Sequence, residues 1–172
     1  MFSQTTPHLE LPRLVPFPPP DTYRIERAGP ADAADLFRLE RLVFDPEMAF
    51  HLKQLQSLLR NPRASIWMVR GSEGLLGQLI VLRKTNRAGT LARIYSLAVH
   101  PQWRGQGLAR HLLEVGLHQL WSEGVYRVIL EVECEALPAR RLYETFGFSV
   151  VSELKDYYAA GRHGLKMELM RP

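Results

Sequence analysis

The chain has one cysteine, Cys134, among 172 residues. That excludes an intrachain disulfide and any zinc site built from several thiolates. No run of 18 uncharged apolar residues occurs, so no membrane-spanning helix is expected. The amino terminus has no basic segment followed by an apolar core, so a signal peptide is not expected and a reducing, cytoplasmic setting is. The six histidines form no His-Glu-x-x-His pattern, so no metal is expected. Charge of one sign is also scarce: 22 Lys+Arg oppose 18 Asp+Glu, for a net +4. Such a surplus suits an anionic ligand and falls short of a nucleic-acid-binding surface. What remains is ordinary: 46% hydrophobic and 23% charged residues, enough chain for one domain with its own core.

Proline is unevenly spread. Six of the 12 fall before residue 21, at Pro7, Pro12, Pro16, Pro18, Pro19 and Pro20. Proline fixes φ and removes a donor, so residues 1–22 read as an extended arm and residues 23–172 as the folded domain. Leu9, Leu11, Leu14, Val15 and Phe17 leave two readings of the arm, a disordered tail or a strip packed on the domain or on a second copy. Monomer and homodimer both stay open.

From Tyr23 the pattern predicts a strand to Arg27, a helix from Pro30 to Phe44, a second from Asp45-Pro46 to Arg60, and strands over 65–70, 75–83 and 90–99. Leucines 108, 112, 113, 117 and 120 recur at helical spacing and predict a helix over 108–122 ending at Gly124. A strand over 127–133, a helix over 138–146 and strands over 149–154 and 165–170 follow. Hairpins first and crossovers later predict an α/β (mixed α+β) fold, one sheet with helices on both faces.

His100-Pro101-Gln102-Trp103-Arg104-Gly105-Gln106-Gly107-Leu108-Ala109-Arg110 joins a strand to that helix. Glycines there let backbone approach a ligand, and a helix N-terminus offers unpaired N–H groups and the positive end of a dipole. A pyrophosphate would fit. A Walker loop is excluded, because Gly-Lys-Ser/Thr is absent. A dinucleotide fingerprint is disfavoured, because Arg110 stands where its third glycine belongs. A tight turn with incidental glycines is the plain alternative.

Arg104-Gly105-Gln106-Gly107-Leu108-Ala109 resembles the Arg/Gln-x-x-Gly-x-Gly/Ala signature of the GNAT superfamily of acyl-CoA-dependent N-acetyltransferases. Ile94 to Pro101 is similar to the strand before that signature, and Arg141-Leu142-Tyr143-Glu144-Thr145-Phe146-Gly147-Phe148 to its "LYexxGF" segment. Within the superfamily the resemblance runs to the bacterial ribosomal-protein-alanine N-acetyltransferases (RimI-like). It implies the GNAT fold, a mostly antiparallel sheet with a splayed central strand pair. It implies acetyl-CoA as cosubstrate, no metal, and acetyl transfer to a primary amine. Leu97, Ala98 and Val99 would hold the pantetheine arm, and the loop from Arg104 through Gly105, Gln106, Gly107, Leu108 and Ala109 to Arg110 the pyrophosphate. The glutamate of Leu130-Glu131-Val132 would be the general base, with Glu133 the fallback, and Tyr143 the general acid. One departure is Ala136, where the family often has a cofactor-contacting asparagine; Arg140 or Arg141 near the 3′-phosphate would compensate.

Some of this is visible in the residues alone. Val128, Leu130 and Val132 share one face of a strand, which puts Glu131 on the other, where it reaches a cavity or needs a partner. Cys134 has no base beside it in sequence and reads as structural. An α-amine titrates about 2.5 units below a lysine, about 3.4 kcal/mol less deprotonation work, so a single glutamate copes more easily with an N-terminal amine. The Asp156-Tyr157-Tyr158 loop resembles the tyrosine segment that frames a peptide N-terminus in protein N-terminal acetyltransferases, or forms a hydrophobic lid. Phe44, Phe50, Arg38, Glu40 and Arg41, with Tyr157 and Tyr158, are the candidates for selecting the acceptor. Acetyl transfer to a protein N-terminus or a small-molecule amine, a non-catalytic acyl-CoA-sensing role and a nucleotide-binding module unrelated to acetyl transfer are the readings carried forward.

Overall fold

The computed structural model describes residues 23–172; the proline-rich arm expected over 1–22 lies outside the described residues. The elements run β1 (Tyr23–Arg27), α1 (Ala33–Val43), α2 (Leu52–Arg60), β2 (Ala64–Gly71), β3 (Gly74–Asn86), β4 (Gly89–Val99), α3 (Leu108–Ser122), β5 (Arg127–Glu133), α4 (Leu137–Thr145), β6 (Ser149–Ala159) and β7 (Arg162–Met170). Short 3₁₀ turns at Pro30–Asp32 and Pro101–Trp103 lead into α1 and toward α3. No described helix is long and apolar enough to cross a membrane.

One seven-stranded sheet has the order β1-β2-β3-β4-β5-β7-β6. Every neighbouring pair is antiparallel except β4 with β5. Alternation along the strands builds two cores. Trp67, Val69, Leu79 and Val81 point to the face that carries α3 and α4, where Leu112, Leu113, Leu117, Leu120 and Tyr143 complete the larger cluster. Ile66, Met68 and Ile80 point the other way and pack with Leu36 and Leu55 of α1 and α2. Gly116 lets α3 press on the sheet: a Cβ there would overlap the Leu79 side chain.

Two sequence expectations give way. The second helix begins at Leu52, not at Pro46. Met48 and Ala49 N–H both donate to Asp45 C=O at 2.9 Å, closing a turn, and the Phe50 N–H is drawn to the buried Glu40 carboxylate at 3.1 Å. The helix then starts where the Gln54 side chain accepts from His51 N–H. Asp156-Tyr157-Tyr158 is not a loop but part of β6, which runs to Ala159. The strand absorbs an irregularity there, between Leu154 and Ala159, with Asp156 at φ 52°. Gly161 N–H donates to Asp156 Oδ1 and Asp156 N–H to His163 Nδ1, which lets a non-glycine residue hold that conformation.

Candidate active site

The central feature is a seam that opens. β4 and β5 pair only from Leu91–Arg127 to Ile94–Leu130. Beyond that point β4 follows β3 to Val99 and β5 follows β7 to Glu133, and the two separate. A bulge marks the parting: Ile80 faces Ser96 and Val81 faces Ile94, so Tyr95 is the extra residue on β4. Extra residues of this kind bend a strand and re-aim its side chains.

A cavity of about 590 Å³ fills the gap. Leu97 and Tyr95 line it from β4, Leu130 through Glu133 from β5, Ala136 from the turn before α4, and Ala139 and Tyr143 from α4. Val43 at the end of α1, with Phe44, Met48 and Phe50 of the segment that follows, adds an apolar wall, and Tyr157, Tyr158 and Arg162 close it from the β6–β7 hairpin. Glu131, Tyr143, Phe44, Tyr157 and Tyr158 are thus brought together from four separate stretches of sequence.

The two glutamates of β5 differ in what holds them. Glu133 gives both oxygens to Arg162, Oε1 to Nε at 2.7 Å and Oε2 to Nη2 at 2.9 Å. The Arg162 guanidinium holds this carboxyl below the usual range. Glu131 is 12% exposed and pairs with Arg93 through Oε2 alone, at 2.7 Å to Nη2 and 2.8 Å to Nε. Among the described residues no hydrogen bond reaches its Oε1. Tyr143 is buried against Phe148, ring centroids 5.6 Å apart, and burial pushes its phenol well above the ordinary value. Burial raises the half-buried Tyr158 as well.

Glu40, read from sequence as a substrate selector, lies instead in the floor. It is 1% exposed, accepts from Ser96 Oγ, Gln78 Nε2 and Phe50 N–H, and its pKa is raised by burial more than these bonds lower it. Arg38 and Arg41 are exposed on α1 and do not line the cavity. The sequence reading passed over Arg93, Asp45 and Arg162. Their only local signal is a charged residue, Arg93, between the buried Ala92 and Ile94.

A second cavity, about 330 Å³, lies at the head of α3. Val99, Trp103, Arg104, Gly105, Gly107, Leu108, Ala109 and Arg110 line it, with Pro138 and Leu142 of α4 opposite. Gly105 and Gly107 hold φ of 75° and 81°, which L side chains resist. The first helical bond of α3 is His111 N–H to Gly107 C=O, and no side chain caps the helix. The preceding N–H groups therefore point out of the helix end. Arg110 leans on Phe146 and bonds Thr145 Oγ1 at 3.0 Å, while Arg104 Nε donates to Val99 C=O at 3.3 Å. Gln106 of the expected loop is absent from the lining, and the Ala98 side chain is buried on the strand that leads to it. Arg140 is tied to Cys134 C=O at 2.8 Å and Arg141 is exposed, so neither stands in this cavity.

This geometry has relatives. Residues 31–148 match the acetyltransferase (GNAT) family. The chain belongs to that family. Across 67 residues, 39% of the chain, it is 36% identical to the [ribosomal protein bS18]-alanine N-acetyltransferase of Haemophilus ducreyi, covering 46% of that protein. The chain spans less than two thirds of the length of the curated relatives it matches. In fold, this GNAT chain is similar to the crystal structure of the Escherichia coli ribosomal-protein-S18-alanine N-acetyltransferase, with a TM-score of 0.75 and 22% identity over 86% of this chain and 93% of that one. It is equally similar to Arabidopsis thaliana NAA60 in complex with acetyl-CoA, at TM-score 0.75 and 20% identity, over 87% of this chain and 98% of that one. The sheet with its parted central strands is thus the GNAT fold, as the sequence resemblance implied.

Proposed function

We propose that the chain is an acetyl-CoA-dependent N-acetyltransferase that moves an acetyl group to a primary amine, in the first instance the α-amine of a protein or peptide N-terminus, in the cytoplasm. The observation that carries this is the seam between β4 and β5: an unpaired strand edge, a carboxylate with one free oxygen and a buried phenol converge on it. The head of α3 fits the diphosphate of the cosubstrate, with outward N–H groups, two glycines at positive φ and an adjoining cavity. Acetyl-CoA, when bound there, supplies the thioester whose C–S bond is broken as the new C–N bond forms.

The chain's own residues then have plain tasks. The edge of β4 from Tyr95 to Val99, with Leu97 and Val99 on the cavity walls, guides the pantetheine arm. Backbone N–H of that edge polarises the carbonyl oxygen. Glu131 Oε1 takes the proton of the entering ammonium, directly or through one water. Glu133 is the poorer candidate, because Arg162 occupies both its oxygens. Tyr143 keeps its proton at physiological pH and hands it to the departing sulfur. Phe44, Tyr157 and Tyr158 frame the acceptor.

A panel of N-terminal peptides and small amines, followed by thioester consumption, tests this. We expect turnover with peptides, and a fall of about 10²-fold or more in kcat for Glu131→Gln. Turnover confined to small amines would move the acceptor class, and no turnover with any amine, alongside coenzyme binding, would make the chain an acyl-CoA sensor. Full activity of Glu131→Gln would remove the base from its role.

A further inference from the structure

Arg93 stands at the root of the seam, one residue before the last β4–β5 pair, Ile94 with Leu130. Its guanidinium joins three strands. Nε and Nη2 both reach Oε2 of Glu131 on β5, at 2.8 and 2.7 Å. Nη2 also donates to the Tyr157 hydroxyl on β6 at 3.0 Å. On its own strand the group lies over the ring of Tyr95, the bulged residue, 4.7 Å from the centroid. The side chain is a third exposed, and Glu131 much less so.

The choice of oxygen matters. Arg162 takes both oxygens of Glu133, the frequent fork-to-fork geometry, and Arg93 departs from it. Arg93 holds one from two donors, and leaves Oε1 of this cavity-lining glutamate without a hydrogen bond among the described residues. A planar fork suits this better than a flexible ammonium. Lys166 lies opposite Glu131 in the β5–β7 register, yet no ion pair joins them. The reaction as described above gives Arg93 no task.

We propose that Arg93 is the positioning residue of this active site: it clamps Oε2 of Glu131 so that Oε1 meets the amine, and it ties the Tyr157 wall to the same point. The proposal rests on Glu131 being the base, and the test separates the two. Kinetics are measured with the best peptide of the panel for Arg93→Met, Arg93→Lys, Glu131→Gln and the Arg93→Met/Glu131→Gln double variant. Arg93→Met lowers kcat about 10- to 100-fold, with KM for acetyl-CoA within about twofold of wild type. Arg93→Lys recovers part of the loss. In the Glu131→Gln background Arg93→Met adds less than about twofold, because two groups acting as one unit are not additive. For Arg93→Ala, added ethylguanidinium restores turnover, a readout that a purely structural role would not move. Wild-type kcat in Arg93→Met beside an inactive Glu131→Gln overturns the role of Arg93 and leaves the base standing; independent, multiplying losses overturn it too. An active Glu131→Gln overturns both.

Discussion

At the residue scale, the two carboxylates of β5 show how partners divide chemically identical groups. Glu131 and Glu133 sit two apart on one strand and face the same cavity. Each has an arginine, yet only one keeps an oxygen free. Strand alternation places both glutamates away from the core, and that much follows from sequence. The partners do not, because Arg93 and Arg162 lie 38 and 29 residues away and meet β5 only through sheet register. Tyr143 makes a cleaner test than either glutamate. Tyr143→Phe keeps the ring packed on Phe148, so unfolding should change by less than about 1 kcal/mol while kcat falls about 10²-fold. Thermal melts and initial rates, measured side by side, check this. Gly107 makes another. At φ 81° an alanine costs about 1–2 kcal/mol, at a residue that lines the cavity at the head of α3. Gly107→Ala should lower Tm by several degrees and raise KM for acetyl-CoA more than it lowers kcat.

At the element scale, α3 is where sequence and structure agree to the residue, Leu108 to Ser122. Its leucine spacing, the glycine before it and the glycine after it all carry the same message, and no tertiary contact competes. The segment between α1 and α2 is the opposite case. Asp45-Pro46 is a strong local start signal, and it loses to a single buried acceptor, Glu40, that holds Phe50 N–H out of a helix. The β6–β7 hairpin misled for a related reason, since local turn chemistry around Asp156 hides inside a longer strand. These two misread segments touch each other. Arg162 bridges Glu133 to Asp45 Oδ2 at 3.0 Å and reaches Met48 Sδ at 3.9 Å, spanning from β7 to the α1–α2 segment. Arg162→Met should therefore raise KM for the acceptor more than for acetyl-CoA. It should also change the acid response. The folded-state carboxyl of Glu133 is held below its unfolded value, so its stabilisation is present at neutral pH and is lost as pH falls through the folded value. The Tm gap between wild type and Arg162→Met is accordingly widest near pH 7 and closes in the acidic carboxylate range, as melts across pH would record.

At the scale of the whole molecule, the fold class was legible because hairpins precede crossovers in the chain and because the loop signature falls between a strand and a helix. The parting of β4 from β5 was legible only through the family resemblance. Nothing in the run from Ile94 to Val99 announces that half its neighbours are missing, since its apolar alternation looks like that of any central strand. A ligand that fills the gap stabilises the folded chain by mass action: at about 100 times its dissociation constant the gain is about 2.7 kcal/mol. For a domain of this size that corresponds to a Tm rise of about 5–10 °C. Coenzyme A should produce it, whereas ATP and NAD should not; stabilisation by a nucleotide alone would reject the assignment of the cradle at α3.

The seven strands divide into two groups, β1 to β4 and β5 with β7 and β6, joined only along the four residue pairs from Leu91 to Ile94. Amides of Tyr95 to Val99 that look into the crack should exchange with deuterium sooner than those of the joined pairs, although one strand carries both. A coenzyme lying in the crack would staple the two groups together, so the molecule spent in each turnover would also brace the catalyst that spends it.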